Sequence, residues 1–385
     1  MKRIFMVGGN SFANRRARCY ACVSNFRNRI LENLRNEVKK MQITIPVPDD
    51  FHAHLRQGEM LRCVIEGMTR WFNRLVVMPN TDPPILDGAG ALRYRDNEIL
   101  PAARDAGCEH LKLIMTIQIR EDTTPALVTG AAVQGVVAGK LYPQGVTTNS
   151  QNDVRDFAKL DPIFEQMSKK GMLLLIHGED PDPNLLPEQR EEKFLPTLVS
   201  IARKFPKLKI VLEHISTEKA IAYVESLPAN VAATITVHHL FITREDANRD
   251  PHNLCMPIAK TSADREALRR AATSGNPKFF LGTDSAPHSR FTKERKIDPA
   301  KGVYSPGEVA IPLLAEVFEC PGGFDLGAFR NFASVFGAEF YGLPVNTRMA
   351  VRLVEELWQV PETYNGIVPF WAGKKLKRKL KELVF

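Results

Sequence analysis

The sequence predicts an α/β fold, a (β/α)8 TIM barrel, from three observations. Eight short runs rich in β-branched and other apolar residues recur between residues 42 and 284. The segments between them, such as DPIFEQMSKKG and TEKAIAYVESL, place apolar residues three and four positions apart, which is typical of amphipathic helices. Polar residues with catalytic chemistry stand at the ends of several runs. Alternating strands and helices indicate a parallel sheet with helices outside it, and eight repeats indicate that the sheet closes into a barrel.

The predicted strands lie at residues 42–48, 75–79, 111–117, 134–142, 172–177, 208–214, 230–238 and 278–284. Near the C-terminus, the segment GKKLKRKLKEL carries Leu376, Leu380 and Leu383 at helical spacing. This pattern predicts a helix with one apolar stripe against the barrel and a solvated basic face.

The composition is that of an ordinary globular protein. Of the 385 residues, 44% are hydrophobic and 25% are charged, close to the averages for soluble domains. No run approaches the 18 consecutive apolar residues of a transmembrane helix, so no membrane association is expected. The six cysteines are too few for a disulfide scaffold, which favours a reducing compartment and a cytoplasmic location.

The net charge of +8 belongs to the N-terminal segment. Residues 1–40 contain ten Lys and Arg residues but two acidic ones, so residues 41–385 are neutral overall. We therefore predict a basic extension at 1–40 and a barrel domain at 41–385, with no nucleic-acid-binding surface on the barrel. The extension can be a mitochondrial or plastid targeting segment, a native arm, or a start assigned too early, since Met41 precedes the first run.

Histidines at the ends of several runs point to a metal site. His52 and His54 lie two residues apart, so in an extended segment both imidazoles project to one face. His177 and His214 end two further apolar runs, and Asp284 ends the eighth. Because the C-terminal ends of barrel strands converge on one face, these side chains are expected to share a pocket, and four neutral imidazoles suit zinc.

Lys140 stands inside the apolar run VVAGKLYP. Burial lowers the pKa of a lysine, and a neutral amine can react with carbon dioxide to give a carbamate that bridges two metals. The alternative is a lysine that reaches solvent or forms an ion pair. The residues alone leave both interpretations open.

Six motifs together resemble those of one enzyme family. HAHLRQGEM, VVMPNTDPP, GKLYPQGVTTNS, LIHGE, LEHIST and FLGTDSAPH, spread in order over residues 42–345, are similar to the zinc-dependent dihydroorotases of the amidohydrolase superfamily, closest to their compact homodimeric type. The resemblance implies hydrolysis of the ring amide of dihydroorotate to N-carbamoyl-L-aspartate, and the reverse cyclisation in pyrimidine (UMP) synthesis. It also implies a homodimer.

The resemblance further implies a binuclear centre of two Zn²⁺ per subunit. Its ligands would be His52, His54 and Asp284 for one metal and His177 and His214 for the other, with Lys140, carboxylated by carbon dioxide, and a hydroxide between them. Asp284 would also be the catalytic residue, taking the proton of the attacking hydroxide and returning it to the departing ring nitrogen. His238 and His239, which end the seventh run, exceed this ligand set and are predicted to line the pocket or cap a helix.

The same resemblance suggests how the substrate would be held. Arg56, Asn80 and His288 match contacts to the substrate carboxylate, and Arg56 offers a planar fork that fits a carboxylate. Met256 and Ala300 match positions whose main chain contacts the ring, the latter on the assumption of no gap between Lys293 and Pro306. Thr147 and Thr148 match a loop that closes over the substrate.

Two alternative functions remain at this stage. Another cyclic amidohydrolase, of the hydantoinase or dihydropyrimidinase kind, would act on rings without a carboxylate, and Arg56, Asn80 and His288 argue against it. A catalytically inactive barrel that serves as a scaffold would be expected to lack metal ligands, whereas all six candidate positions carry residues that can bind metal.

Overall fold

The predicted barrel is confirmed. The computed structural model describes residues 42–146 and 153–385, and the 1–40 extension lies outside them. After a first strand, β1 (Gln42–Pro46), eight parallel strands pair in chain order. They are β2 (Asp49–Ala53), β3 (Arg74–Val77), β4 (Lys112–Ile119), β5 (Ala138–Leu141), β6 (Leu173–His177), β7 (Ile210–Glu213), β8 (Val231–Ile235) and β9 (Phe279–Leu281).

The barrel closes where β2 meets the chain after β9. Ala53 and Ser285 form a parallel bridge, and the backbone N–H of His54 donates to the Ser285 carbonyl at 3.0 Å. The backbone N–H of Asp284 donates to the His52 carbonyl at 2.9 Å. This closure places Asp284 beside two histidines that are more than 200 residues away in the sequence.

Helices connect the strands and surround the barrel. Several begin at an Asp or Thr whose side chain accepts a hydrogen bond from the first turn, such as Asp87 and Thr217. The helices are α1 (Gly58–Thr69), α2 (Gly88–Tyr94), α3 (Leu100–Asp105), α4 (Pro125–Val133), α5 (Asp161–Lys170), α6 (Pro187–Lys204), α7 (Glu218–Ser226), α8 (Arg244–Arg249), α9 (Ser262–Thr273), α10 (Arg290–Lys293), α11 (Gly307–Val317), α12 (Leu326–Arg330) and α13 (Phe336–Tyr341). No helix in the described ranges is long and apolar enough to cross a membrane.

Alternation along the barrel strands places polar groups above an apolar base. Successive side chains of a strand point to opposite faces, so Ala138 and Lys140 share one face of β5, and Leu175 and His177 share one face of β6. Ala138 and Leu175 belong to the hydrophobic core, and the polar residue follows two positions later in each strand. The C-terminal ends of the strands therefore carry Lys140 and His177 over a packed interior.

An aromatic cluster at the base of the barrel includes Phe51, Phe280 and Tyr341. The ring centroids of Phe51 and Phe280 are 5.2 Å apart, and those of Phe51 and Tyr341 are 4.7 Å apart. Gly337 of α13 lies against this cluster, where a Cβ atom would come within 2.2 Å of the Phe51 ring. Only glycine allows the helix to approach the ring so closely.

The first predicted strand does not belong to the barrel. Residues 42–46 form β1, which lies in a three-stranded sheet of order β1-β12-β13 with β12 (Ala350–Gln359) and β13 (Lys375–Val384). The first barrel strand is the next segment, β2. A short apolar run has the same local pattern in either sheet, so its partners, about 300 residues away, decide where it pairs.

The predicted C-terminal helix is wrong, because the segment forms β13. Leu376, Arg378 and Leu380 are buried and alternate with exposed Lys377 and Lys379, which is the period of a strand. A spacing of four residues fits a strand and a helix equally well, and antiparallel pairing with β12 selects the strand. A small hairpin, β10 (Glu319–Cys320) with β11 (Gly323–Phe324), completes the described strands.

Candidate active site

His52, His54 and Asp284 converge at the point where the barrel closes. The Nε2 atoms of the two imidazoles are 3.2 Å apart, and Asp284 Oδ1 lies 3.2 Å from the first and 3.1 Å from the second. All three side chains are buried. Two imidazole nitrogens and a carboxylate oxygen facing one point form a donor set that suits zinc.

His177 and His214 continue this group along β6 and β7. The His214 ring centroid is 5.1 Å from that of His52 and 4.5 Å from that of His177. The Nδ1 atom of His214 is buried and has no hydrogen-bond partner among the described residues. A buried nitrogen that lacks a partner is costly, and a bound cation would satisfy it.

Asn80 contacts the far side of one of these imidazoles. Its Oδ1 atom lies 2.8 Å from His54 Nδ1. Because an amide oxygen only accepts hydrogen bonds, this contact suits a His54 tautomer with its proton on Nδ1, which leaves Nε2 to face His52 and Asp284 as a metal donor. Such a partner on the far nitrogen is a usual feature of metal-binding histidines.

Burial keeps three histidines of this group in the form that binds metals. It lowers the pKa values of His52, His54 and His214, so these rings are neutral at pH 7. Burial alone would raise the pKa of Asp284, but the neighbouring His52, His54 and Lys140 outweigh this effect and lower it to about 2. The group therefore combines neutral nitrogen donors with an ionised carboxylate.

Lys140 is completely buried and forms an ion pair with Glu213, the last residue of β7. A Glu213 carboxylate oxygen also lies 2.9 Å from His52 Nδ1. Burial lowers the pKa of Lys140, which favours the neutral amine that carbamylation requires. Glu213 was missed by sequence reasoning, although a carboxylate that interrupts the apolar run LKIVLEH was a signal of the same kind as Lys140 itself.

Three predicted site residues have a strained backbone. Arg56, His214 and Asp284 have φ angles of 64°, 43° and 47°, in the left-handed region that residues other than glycine rarely adopt. Strain of this kind collects at functional sites, where the surrounding structure holds it in place. Its presence at three of the residues selected by motif supports a shared function for them.

Arg56 lines the same cavity as the metal-ligand group, and His288 lies beside Arg56 without lining that cavity. An Arg56 terminal guanidinium nitrogen is 3.0 Å from His288 Nε2, and Arg56 Nε–H donates to the Pro287 carbonyl at 2.9 Å. Burial, together with the neighbouring Arg56, lowers the pKa of His288 to about 2, so this ring is neutral. The pair offers one cation beside the metal-ligand group, which is the arrangement that a substrate carboxylate requires.

A cavity connects Arg56 with the metal-ligand group. Met256, Lys301 and Gly302 line it, together with His52, His54, Arg56, Asn80, Tyr142, His177, His214, Asp284 and Ala286. Ala300 is not among these lining residues, and its N–H donates to the Thr292 carbonyl at 2.9 Å. The structure therefore does not bring Ala300 to the cavity, whereas the next two residues, Lys301 and Gly302, line it.

Comparison with known proteins identifies the family. The chain is 44% identical over 349 residues to a dihydroorotase of Shewanella frigidimarina, a match that covers 88% of this chain and 99% of the relative. The chain belongs to the dihydroorotase family. No protein-family model matches it.

Solved dihydroorotase structures have the same fold. A dihydroorotase from Saccharomyces cerevisiae in complex with 5-fluoroorotic acid gives a TM-score of 0.81 at 34% identity, covering 89% of this chain and 98% of that one. A dihydroorotase from Campylobacter jejuni gives 0.79 at 35% identity, with the same coverage. The resemblance seen in the sequence motifs therefore extends over the whole barrel.

Some predicted residues of this dihydroorotase-family chain are not part of the described site. Thr147 and Thr148, the predicted lid residues, lie outside the described residues. His239 lies in the turn at His238–Leu240. Its Nδ1 atom is 2.8 Å from Thr236 Oγ1 and its Nε2 atom is 3.0 Å from the Pro257 carbonyl, so both ring nitrogens have structural partners. Neither histidine of this turn lines the cavity.

Tyr142 is a second residue that sequence reasoning missed. Its side chain lines the cavity, yet its hydroxyl is buried without a hydrogen-bond partner among the described residues. Its ring centroid lies 4.9 Å from the Lys140 amine. The motif KLYP contains this tyrosine, and its spacing of two from Lys140 placed it on the same face of the strand.

Proposed function

We propose that the protein is a dihydroorotase, which interconverts L-dihydroorotate and N-carbamoyl-L-aspartate by metal-dependent opening and closure of the ring. One observation carries this proposal: Arg56 lines the same cavity as His52, His54 and Asp284. A cation beside a metal-ligand group suits a cyclic amide that bears a carboxylate. Membership of the dihydroorotase family supports the same substrate.

The donor set fits two Zn²⁺ ions. His52, His54 and Asp284 would hold the first, and His177 and His214 would hold the second, with carbamylated Lys140 between them. Bound Zn²⁺ lowers the pKa of water and polarises a carbonyl group. Neutral imidazoles, the unpartnered His214 nitrogen and the completely buried Lys140 support this assignment.

The side chains of the protein would then bind the substrate and move one proton. Arg56 and His288 would hold the carboxylate of dihydroorotate, which fixes the ring amide beside Asp284. The ionised Asp284 carboxylate would accept a proton from the attacking water and return it to the ring nitrogen when the amide bond breaks. In the synthetic direction, the same carboxylate would remove a proton from the attacking nitrogen.

Turnover by the purified, Zn²⁺-loaded protein tests the proposal directly. We expect hydrolysis of dihydroorotate, loss of activity with a chelator, and recovery with Zn²⁺. Dihydrouracil and hydantoin lack the carboxylate, so their kcat/KM is expected to be lower than that of dihydroorotate by a factor of about a hundred or more. Comparable turnover of dihydrouracil would favour another cyclic amidohydrolase, and no turnover by a folded, metal-loaded protein would favour an inactive scaffold.

Replacement of Arg56 tests how the substrate carboxylate is held. The Arg56→Met variant is expected to raise KM for dihydroorotate by about 10- to 100-fold, because a charge-assisted hydrogen bond is lost. Metal content should not change, since the side-chain hydrogen bonds of Arg56 within the described residues go to Pro287 and His288, which are not predicted ligands. Arg62→Met, on the exposed face of α1, is the matched control. Loss of metal in the Arg56 variant would instead show a structural role.

The proposal includes the homodimer and the cytoplasmic location. Both follow from the resemblance and the composition, and both stay predictions.

A further inference from the structure

Lys293 is a buried lysine outside the predicted active-site residues. Its side chain is 2% exposed, at the end of helix α10. Its ammonium donates to the main-chain carbonyl of Leu254 at 2.9 Å and to that of Gly302 at 2.7 Å. A buried cation is tolerated only when its charge is met by hydrogen-bond acceptors, and here two main-chain carbonyls supply them.

The two carbonyls belong to the two main-chain segments that line one side of the cavity. Met256, two residues beyond Leu254, lines it from one segment, and Lys301 and Gly302 line it from the other. The segments are also joined directly, since the Gly302 N–H donates to the Leu254 carbonyl at 2.9 Å. Lys293 therefore joins the two segments from behind the surface that faces the cavity.

The second segment continues to the predicted carboxylate-binding residues. The Lys301 carbonyl lies 3.2 Å from His288 Nε2, and this nitrogen lies 3.0 Å from the Arg56 guanidinium. A shift of the segment at Gly302 would consequently move the surface against which His288 and Arg56 are held.

The surroundings of Lys293 indicate that its ammonium holds main-chain segments together inside the protein and does not act as a surface charge. Burial lowers the pKa of Lys293 to about 8, against the opposing effects of Cys255 and Asp250. A methionine of similar length could fill this space without the cost of burying a charge. The lysine therefore provides two hydrogen bonds to the main chain of the cavity wall, which an apolar side chain cannot form.

We propose that Lys293 is a positioning residue that sets the spacing of the segments at Leu254–Met256 and Lys301–Gly302, and thereby the affinity for the substrate. This inference rests on the proposed function, because it assumes that the substrate occupies this cavity. Lys293 itself lies behind the cavity wall, so it acts through the main chain.

Orotate binding and dihydroorotate kinetics on the metal-loaded full chain test the inference. For Lys293→Met we expect the dissociation constant of orotate and the KM for dihydroorotate each to rise about tenfold, with kcat changed by less than about threefold. Metal content should equal that of the unaltered protein. Lys296→Met replaces an exposed lysine three residues further along the chain and is expected to match the unaltered protein.

Lys293→Gln is the second variant, in case the methionine variant does not fold. Its shorter side chain keeps N–H donors but cannot span both carbonyls, so a rise in both constants is again expected. A folded variant at either substitution with unchanged orotate affinity would overturn the inference, as would a loss of metal. If the unaltered protein neither binds orotate nor hydrolyses dihydroorotate, the proposed function fails as well, which separates the two failures.

Discussion

Replacement of Asp284 by asparagine is expected to reduce kcat for dihydroorotate by about a thousandfold or more, in the range that removal of a general acid–base group produces. Asparagine keeps the size of the side chain and an oxygen toward His52 and His54, but it cannot accept and return a proton. The loss should therefore appear in kcat at saturating substrate, and the protein should stay folded.

We would test this by measuring the steady-state kinetics, the metal content and the thermal unfolding of the Asp284→Asn variant. Asp105→Asn, at the exposed end of helix α3, is the matched control and should retain full activity. A variant that keeps Zn²⁺ and loses turnover supports the proton-transfer role. If turnover persists within about tenfold, another group moves the proton, and the assignment of Asp284 is wrong.

The barrel was predictable because its signals are local. A run of apolar residues followed by an amphipathic segment needs no knowledge of distant partners, and the polar residue at each run end marks the catalytic face. For β1 and β13 the local sequence pattern was misleading, because residues far away in the chain decide how these strands pair. Both belong to the sheet completed by β12, and the partners that decide their pairing are far away in the sequence.

The candidate site was predictable where a polar residue that can bind metal or move a proton ends an apolar strand. His177, His214 and Asp284 are of this kind, and the structure brings them together. Glu213 was overlooked because it directly precedes His214, and histidine is the commoner metal ligand. Lys293 carried no signal at all, since a lysine in a polar sequence segment is exposed in most proteins, and only the fold shows that it is buried between two carbonyls.

Lys140→Ala is expected to lose bound metal and activity together. Removal of the side chain takes away the group that would bridge the two metals, and it leaves the Glu213 carboxylate buried without its cation. We expect less than about a hundredth of the original kcat/KM, accompanied by a lower metal content. Lys169→Ala, an exposed lysine of helix α5, is the matched control.

Rescue by small carboxylates decides between the two interpretations of Lys140. If Lys140 bears a carbamate, acetate or propionate can enter the space left by the substitution and supply the missing oxygens, so part of the activity and of the metal binding should return. If Lys140 acts only as the ion-pair partner of Glu213, added carboxylates bring a second negative charge to a buried one and restore nothing. Activity close to that of the unaltered protein without any addition would exclude a bridging role. Rescue would therefore indicate that Lys140 carries a carbamate, whereas no rescue would indicate that it serves only as the ion-pair partner of Glu213.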